Sequence, residues 1–248
     1  MRQKARKNRR HGKRIVLTLL VLILTISAVL AVANQTVLQD FLHFNASVAS
    51  MEHGWNLILV NGEYKIPKDW KVELTELSNG QSVDSRIYPD LQQMFDDMRT
   101  QGVYPVVASG YRTAKKQQEL MDEKVNSFLA QGYSKSEAKK WVAGVGYSEH
   151  QTGLAVDINA DGVNSSGQQV YAWLADNAWK YGFILRYPED KTEITKTDYE
   201  PWHYRYVGKE AAKEIYESGL CLEEYIGMMK LSNDGGESVI RPAIIFEK

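Results

Sequence analysis

The chain has 248 residues, of which 44% are hydrophobic, so it can bury one good-sized core. Its net charge of −1 hides an uneven distribution, because residues 1–14 carry eight basic side chains and no acidic one, which leaves a net charge of −9 on the rest. An acidic body argues against electrostatic binding of nucleic acid, and the single cysteine, Cys221, excludes an internal disulfide.

The N-terminal segment predicts a membrane anchor. Residues 15–33 form a run of 19 uncharged residues, and a helix of that length spans about 28 Å, close to the hydrocarbon thickness of a bilayer. The basic residues 1–14 should stay in the cytoplasm, which places the body outside. The end of the run, Ala31-Val32-Ala33, resembles a signal-peptidase site, but the run is longer than a usual signal h-region. We therefore expect a single-pass anchor in the cell membrane, with secretion after signal cleavage as the alternative.

After a spacer at residues 34–54, the body mixes helix and strand patterns. Strands are predicted in NLILVN (after Trp55), VYPVVASG, LAVDI, GFILRY and WHYRYV. Helices are predicted in IYPDLQQMFDDMRTQG, in AKKQQELMDEKVNSFLAQG, after Ser134, in residues 168–180 and in KEAAKEIYESG. The later strands follow one another without full crossover helices, which favours an α+β fold with a small antiparallel sheet and flanking helices. We expect one folded domain at residues 55–230 and a tail of unassigned role at residues 231–248.

The helix that follows Thr113 has two further expected features. Thr113 is a suitable N-cap, and the spacing of the apolar residues predicts a buried face. The side chains expected to point inward are Leu120, Met121, Val125, Phe128 and Leu129. A capping box formed by Ser134 and Glu137 should start the next helix.

Strand alternation places a carboxylate and an imidazole on the polar side of the predicted sheet. The apolar residues of GLAVDIN alternate and should face the core, which points Asp157 to the opposite side. The same alternation in WHYRYV separates His203 from its aromatic neighbours. Pairing of the two strands would bring Asp157 and His203 together, and His150, in the preceding loop, could complete the set.

Two imidazoles and one carboxylate, with a vacant fourth position, are the ligand set of a catalytic zinc site. Zinc lowers the pKa of its bound water toward about 7, and Glu200 is the nearest candidate for a base. Arg112, in the turn SGYRT, is suited to stabilise an oxyanion, and Gln117 and Gln118 could reach the same cleft. Histidines and an aspartate that only satisfy local hydrogen bonds would also account for this spacing, since no HExxH or CxxC pair is present.

Three segments together resemble a known family. SGYRT, SEHQTGLAVDIN and EPWHYRYVG look like the signature segments of D-alanyl-D-alanine carboxypeptidases in the lysostaphin/D-Ala-D-Ala metallopeptidase group. The nearest branch looks like the Y-type vancomycin-resistance enzymes and the related L,D-carboxypeptidases. The family pattern S-x-H-x(6)-D is met by Ser148, His150 and Asp157, and E-x-x-H is met by Glu200 and His203. The resemblance implies a hedgehog/D-Ala-D-Ala peptidase-like fold.

The resemblance also implies roles for individual residues. His150, Asp157 and His203 would bind Zn²⁺, Glu200 would be the general base on the zinc-bound water, and Arg112 would stabilise the oxyanion. The implied substrate contacts are Ser148, Gln117 or Gln118, and Tyr187. The implied activity is removal of the terminal D-alanine from peptidoglycan stem peptides.

Three other functions stay open at the level of the sequence. An L,D-carboxypeptidase would remove D-alanine from tetrapeptide stems, and a cell-wall endopeptidase could use the same fold. A non-catalytic zinc module that binds peptidoglycan is a third possibility. The presence of Glu200 and Arg112 favours an enzyme, because a binding module needs neither a base nor an oxyanion clamp.

Overall fold

A computed structural model describes residues 51–138 and 142–233. The predicted anchor at 15–33, its basic flank, most of the spacer and the last part of the tail therefore lie outside the described residues. Across the two described ranges, no helix combines the length and the apolar character needed to cross a bilayer.

Helices and strands are interspersed along the described chain. The strands are β1 (Leu74–Glu76), β2 (Ser82–Asp84), β3 (Pro105–Ser109), β4 (Ala155–Ala160), β5 (Phe183–Leu185) and β6 (His203–Tyr206). The α-helices are α1 (Tyr88–Thr100), α2 (Ala114–Ala130), α3 (Lys135–Ala138), α4 (Gly167–Asn177), α5 (Thr192–Thr195), α6 (Lys209–Ser218) and α7 (Leu222–Asn233). Single 3₁₀ turns occur at Trp55–Leu57, Glu149–Thr152, Ala178–Tyr181 and Glu189–Lys191.

The strands form two sheets, and every paired strand is antiparallel to its neighbour. β1 and β2 form a hairpin, while the other four strands lie in the order β3-β4-β6-β5. Strand β4 therefore lies between β3 and β6, with Asp157 opposite His203 on one side and opposite Ser109 on the other. This arrangement confirms the predicted α+β fold with a small antiparallel sheet.

One face of the four-stranded sheet forms the main core. Val156 and Ile158 of β4 are fully buried, as the alternation in GLAVDIN predicted, and Tyr204 of β6 is buried beside them. Helices α1 and α4 cover this face with Leu91, Met94, Val170 and Leu174. Because this face is filled, the alternate side chains of β4 and β6, including Asp157 and His203, point to the other side of the sheet.

The strand predicted after Trp55 is wrong. Trp55–Leu57 is a 3₁₀ turn, and Ile58 and Val60 are fully buried without joining a sheet. The guanidinium of Arg205 donates to the carbonyls of Asn56 (3.1 Å) and Ile58 (2.8 Å). A buried side chain therefore satisfies backbone groups that a neighbouring strand would otherwise satisfy.

Helix α2 starts as predicted but buries little of its apolar face. The hydroxyl of Thr113 accepts a hydrogen bond from the amide of Lys116 (3.1 Å), and Val125 is buried. Leu129, however, is 42% exposed, and Gln117 is buried instead. Half-buried positions are found at Leu120, Met121 and Phe128. The helix lies at the edge of the body, so only part of its predicted inner face meets a partner. The capping box of Ser134 and Glu137 at the start of α3 is confirmed.

Three features have no counterpart in the sequence-based prediction, and the shortest of them is the single-turn helix α5. The β1–β2 hairpin has strands of three residues, which are too short to show a clear alternation of apolar and polar side chains. Helix α7 runs from Leu222 to Asn233 and so crosses the expected domain boundary at residue 230.

Candidate active site

The pairing of β4 with β6 brings the predicted metal ligands together. Oδ2 of Asp157 lies 3.3 Å from Nε2 of His150, and its Oδ1 lies 3.2 Å from Nδ1 of His203. One nitrogen from each histidine and one oxygen from Asp157 all lie within 4.8 Å of one another. Three side chains that are distant along the chain thus converge as the strand pattern predicted.

The 3₁₀ turn Glu149–Thr152 delivers His150 to this cluster. Nδ1 of His150 is 2.8 Å from the carbonyl oxygen of Gly110, which leaves Nε2 to face Asp157. The turn ends at Gly153 with φ of 77°, a left-handed conformation that favours glycine. A Cβ there would lie 2.9 Å from Cγ2 of Val72, so the tight packing also requires glycine.

The cluster has the donor set that a divalent metal requires. Oδ1 of Asp157 is buried and accepts no hydrogen bond of good geometry from any described residue, although Nδ1 of His203 is near. Burial raises the pKa of Asp157, but the adjacent imidazoles of His150 and His203 outweigh burial and hold the pKa far below its usual range. Burial lowers the pKa of His203, yet Asp157 and Glu149 raise it to about 9. The carboxylate of Asp157 thus lies between two imidazoles, and its Oδ1 is available as a ligand. A divalent metal ion fits this site by taking the place of the proton on Nδ1 of His203.

Glu200 and Arg112 flank the cluster. Oε2 of Glu200 lies 3.4 Å from Nδ1 of His203. Burial raises the pKa of Glu200, and Asp157 adds to the rise while His203 and Arg112 oppose it. Arg112 donates to Oδ2 of Asp157 (3.0 Å) and to the hydroxyl of Ser109 (3.0 Å), which orients its guanidinium beside the same carboxylate.

These groups lie in an open cleft of about 1080 Å³. Ser148, Gln117 and Tyr187, three of the predicted substrate contacts, line it together with the metal cluster. Gln118 does not: its side chain is exposed, and its Nε2 donates to Oδ1 of Asp122 at 2.9 Å along the helix. Successive residues on a helix point about 100° apart, and the orientation of α2 directs Gln117 rather than Gln118 into the cleft.

Gln117 is held in a defined orientation. It is 2% exposed, and its Nε2 donates to the carbonyl of Ala143 at 2.8 Å, while Oε1 is buried and has no hydrogen-bond partner in the part of the chain that the structure describes. Tyr187 lies on the other side, with its ring centre 4.8 Å from that of His203. The cleft thus has a polar group on one wall and an aromatic ring beside the metal cluster.

The sequence-based prediction missed a buried ion network next to His203. Oε1 of Glu149 accepts hydrogen bonds from Arg186 and Arg205, both at 2.8 Å, and all three side chains are buried. Burial raises the pKa of Glu149, but the two guanidiniums outweigh burial and hold the pKa far below its usual range, so the group is an anion. The sequence contains only a weak signal of this ion network: an acidic residue beside His150, and one arginine in each of two predicted strands.

Comparison with known proteins identifies the family of this chain. The family model described as VanY, D-alanyl-D-alanine carboxypeptidase, matches residues 80–209. A D-alanyl-D-alanine carboxypeptidase of Enterococcus faecalis is 60% identical over 72% of this chain and 68% of its own length. A D-alanyl-D-alanine carboxypeptidase of Enterococcus faecium is 35% identical over 71% of this chain and 58% of its own length.

Solved structures agree with these matches. VanYB in complex with D-alanine-D-alanine is 61% identical, with a TM-score of 0.68, over 69% of this chain and 97% of that one. A variant of the D,D-pentapeptidase VanY in complex with Zn(II) gives a TM-score of 0.67 at 61% identity, over 69% of this chain and 99% of that one. The L,D-carboxypeptidase LdcB is 38% identical, with a TM-score of 0.57, over 68% of this chain and 84% of its own. The chain described here therefore belongs to the VanY family of D-alanyl-D-alanine carboxypeptidases.

Proposed function

We propose that this protein is a zinc-dependent D,D-carboxypeptidase that removes the terminal D-alanine from peptidoglycan stem peptides. The observation that carries the proposal is the convergence of His150, Asp157 and His203 in a cleft, with Glu200 and Arg112 on either side. Membership of the VanY family supports it, as do the relatives whose structures hold Zn(II) or D-alanine-D-alanine.

The residues that would hold zinc are His150 through Nε2, His203 through Nδ1, and Asp157 through its carboxylate. When bound, zinc polarises a carbonyl group and lowers the pKa of water. Glu200 accepts the proton of the attacking water and returns it to the departing amine. Its raised pKa suits that role, because a carboxylate that must hold a proton briefly needs a pKa closer to neutrality.

Arg112 stabilises the negative charge that develops on the carbonyl oxygen of the scissile bond. Its guanidinium is already oriented by Ser109 and Asp157, so little reorganisation is needed during the reaction. Ser148 and Gln117 bind the terminal D-alanine, and Tyr187 contacts the substrate beside His203. Gln118 has no part in this scheme, because it lies outside the cleft.

We propose that the enzyme prefers D,D substrates to L,D substrates. The D,D-specific VanY structures are 61% identical to this chain, whereas the L,D-carboxypeptidases LdcB and DacB are 38% and 35% identical. Activity on tetrapeptide stems is the second candidate, because those L,D enzymes cover 68% of this chain with the same fold.

The test measures D-alanine release from synthetic pentapeptide and tetrapeptide stems, each with and without a zinc chelator. We expect faster release from the pentapeptide and loss of both activities with chelator, restored by added Zn²⁺. Faster release from the tetrapeptide would replace D,D with L,D specificity. Release that is insensitive to the chelator would contradict the zinc mechanism.

We further propose that the domain works outside the cytoplasmic membrane, held there by residues 15–33. Its substrate class is found outside the membrane, and the charge contrast between residues 1–14 and the rest of the chain supports this orientation. Protease treatment of intact protoplasts tests the topology: the domain should be digested while the N-terminus is protected. Recovery of the domain from the culture medium would indicate signal cleavage instead.

A further inference from the structure

A network of four buried charged side chains lies on the Nε2 side of His203. Two are acidic and two are basic, so their charges balance: Glu149, Glu223, Arg186 and Arg205. The side chains of Arg186 and Arg205 are completely buried, and that of Glu149 is 1% exposed. The function proposed above assigns no role to any of them.

The two oxygens of Glu149 have different surroundings. Oε1 accepts from Nε of Arg186 and from Arg205, each at 2.8 Å. Oε2 is buried, makes no hydrogen bond within the described part of the chain, and lies 3.6 Å from Nε2 of His203. That nitrogen is also buried and has no hydrogen-bond partner among the described residues. Each atom is therefore the nearest available partner of the other.

The orientation of the His203 ring connects this pairing to metal binding. Nδ1 points to Asp157 (3.2 Å) and Glu200 (3.4 Å), so Nε2 must point to Glu149. A histidine that ligates a metal through Nδ1 carries its proton on Nε2 and needs an acceptor there. The separation of 3.6 Å is longer than a normal hydrogen bond, and closing it by roughly half an ångström gives one.

We propose that Glu149 is the positioning residue of His203: its Oε2 accepts a hydrogen bond from Nε2–H and thereby keeps Nδ1 directed at the metal. The inference rests on the proposed zinc site. At His150 the corresponding acceptor is not a carboxylate: its Nδ1 lies beside the backbone carbonyl of Gly110. A charged acceptor orients the ring and makes the ligating nitrogen more basic, which a carbonyl does less strongly.

Glu223 extends this arrangement to helix α7. Nη1 and Nη2 of Arg186 donate to the two oxygens of Glu223 at 2.8 Å and 2.6 Å, while Nε of the same guanidinium donates to Glu149. Asn61, at the cleft, donates to Glu223 at 3.1 Å. Glu223 lies beyond residues 80–209, the range of the family match. The second coordination sphere of His203 thus depends on a helix outside that range.

The test uses Zn²⁺ alone and measures its Kd by competition with a chromophoric chelator, together with urea unfolding of the metal-free protein. Glu149→Asp keeps the charge that both arginines need but withdraws the carboxylate by one methylene. We expect it to weaken zinc binding by about ten- to a hundredfold, the usual effect of removing a partner behind a ligand. Glu223→Gln should weaken zinc binding less, because it acts through Arg186.

Asp84→Asn is the matched control. Asp84 is fully buried and accepts from Nε of Arg86 at 2.8 Å, and among the described residues no hydrogen bond or ion pair joins this carboxylate to a metal ligand. It should lower the urea midpoint and leave the zinc Kd within twofold of wild type. A purely structural role of Glu149 predicts the same pattern for Glu149→Asp, and that result would overturn the inference.

Further outcomes separate this inference from the proposed function. If wild-type protein binds no zinc, both are overturned. If wild-type protein binds zinc and releases D-alanine while Glu149→Asp binds zinc equally well, only the positioning role is lost. If Glu149→Asp does not fold, the zinc Kd of Glu223→Gln tests the inference in its place. An unchanged zinc Kd in that variant contradicts coupling between α7 and His203.

Discussion

On the sheet side of the cleft the two histidines of the metal cluster are buried, whereas the side formed by α2 and α3 is largely exposed. His150, His203 and Glu149 are each at most 5% exposed and are held by ionic or backbone hydrogen bonds. On the opposite side, Tyr133 and Glu137 are exposed, and Gln117 is the buried polar residue of α2. We therefore expect the sheet side to carry the chemistry and the helical wall to adapt the cleft to its substrate.

This difference has an energetic reason. A charge removed from the sheet side leaves another charge buried without a partner, which costs several kcal/mol. A side chain removed from the helical wall mostly exposes more of the cleft to water, at a cost of about 1 kcal/mol for one hydrogen bond. Substitutions on the two walls should therefore differ in size and in the quantity that they change.

The largest effect is expected for Glu200→Gln, on the sheet side. The amide cannot take a proton from water, so kcat for D-alanine release should fall by about 10²- to 10⁴-fold. Zinc content should stay at the wild-type value, because Glu200 is outside the ligand set. Steady-state kinetics and metal analysis of the same preparation check both parts. Turnover close to wild type would remove Glu200 from the mechanism and favour a non-catalytic zinc module.

Arg112→Lys should give the next largest effect. Lysine keeps the charge but cannot contact Ser109 and Asp157 while also presenting a planar donor pair to the substrate. We expect kcat to fall by about 10²- to 10³-fold, as for loss of an oxyanion donor. A change confined to KM, with kcat preserved, would assign Arg112 to ground-state binding instead.

Gly153→Ala probes the support of the sheet side without touching a ligand. The left-handed φ of 77° and the 2.9 Å approach to Val72 should lower the free energy of unfolding by about 1–3 kcal/mol. Urea unfolding of metal-free protein measures this change. Gly80→Ala is the control, because Gly80 also has a positive φ but a Cβ there would meet nothing within 4 Å. Equal losses in both variants would show that the backbone conformation alone, and not packing, requires Gly153.

The smallest effect is expected on the helical wall. Gln117→Ala should raise KM for the pentapeptide about tenfold with kcat nearly unchanged, since it removes one or two hydrogen bonds. Gln118→Ala should leave both constants at wild-type values, because its side chain lies outside the cleft. A larger effect of Gln118→Ala than of Gln117→Ala would contradict the assignment of the two glutamines.

Two of the three residues of the metal cluster could be placed from the sequence, because their orientation depends on local alternation. Burial of Val156 and Ile158 forces Asp157 to the other face of β4, and the same rule applies to His203 in β6. The choice between Gln117 and Gln118 could not be predicted, because it depends on how α2 is rotated against the body. The strand predicted after Trp55 failed because a guanidinium from β6 satisfies the carbonyls of that segment.

The sequence by itself determined the type of most main elements, the α+β class and the faces of the two central strands, since these follow from short-range periodicity. Only the tertiary structure decided which charges meet: Glu149 with Arg186 and Arg205, and Glu223 with Arg186. Such contacts join residues up to 56 positions apart. Their pairing follows from strand order and register, and from the cost of burying any one of these charges alone.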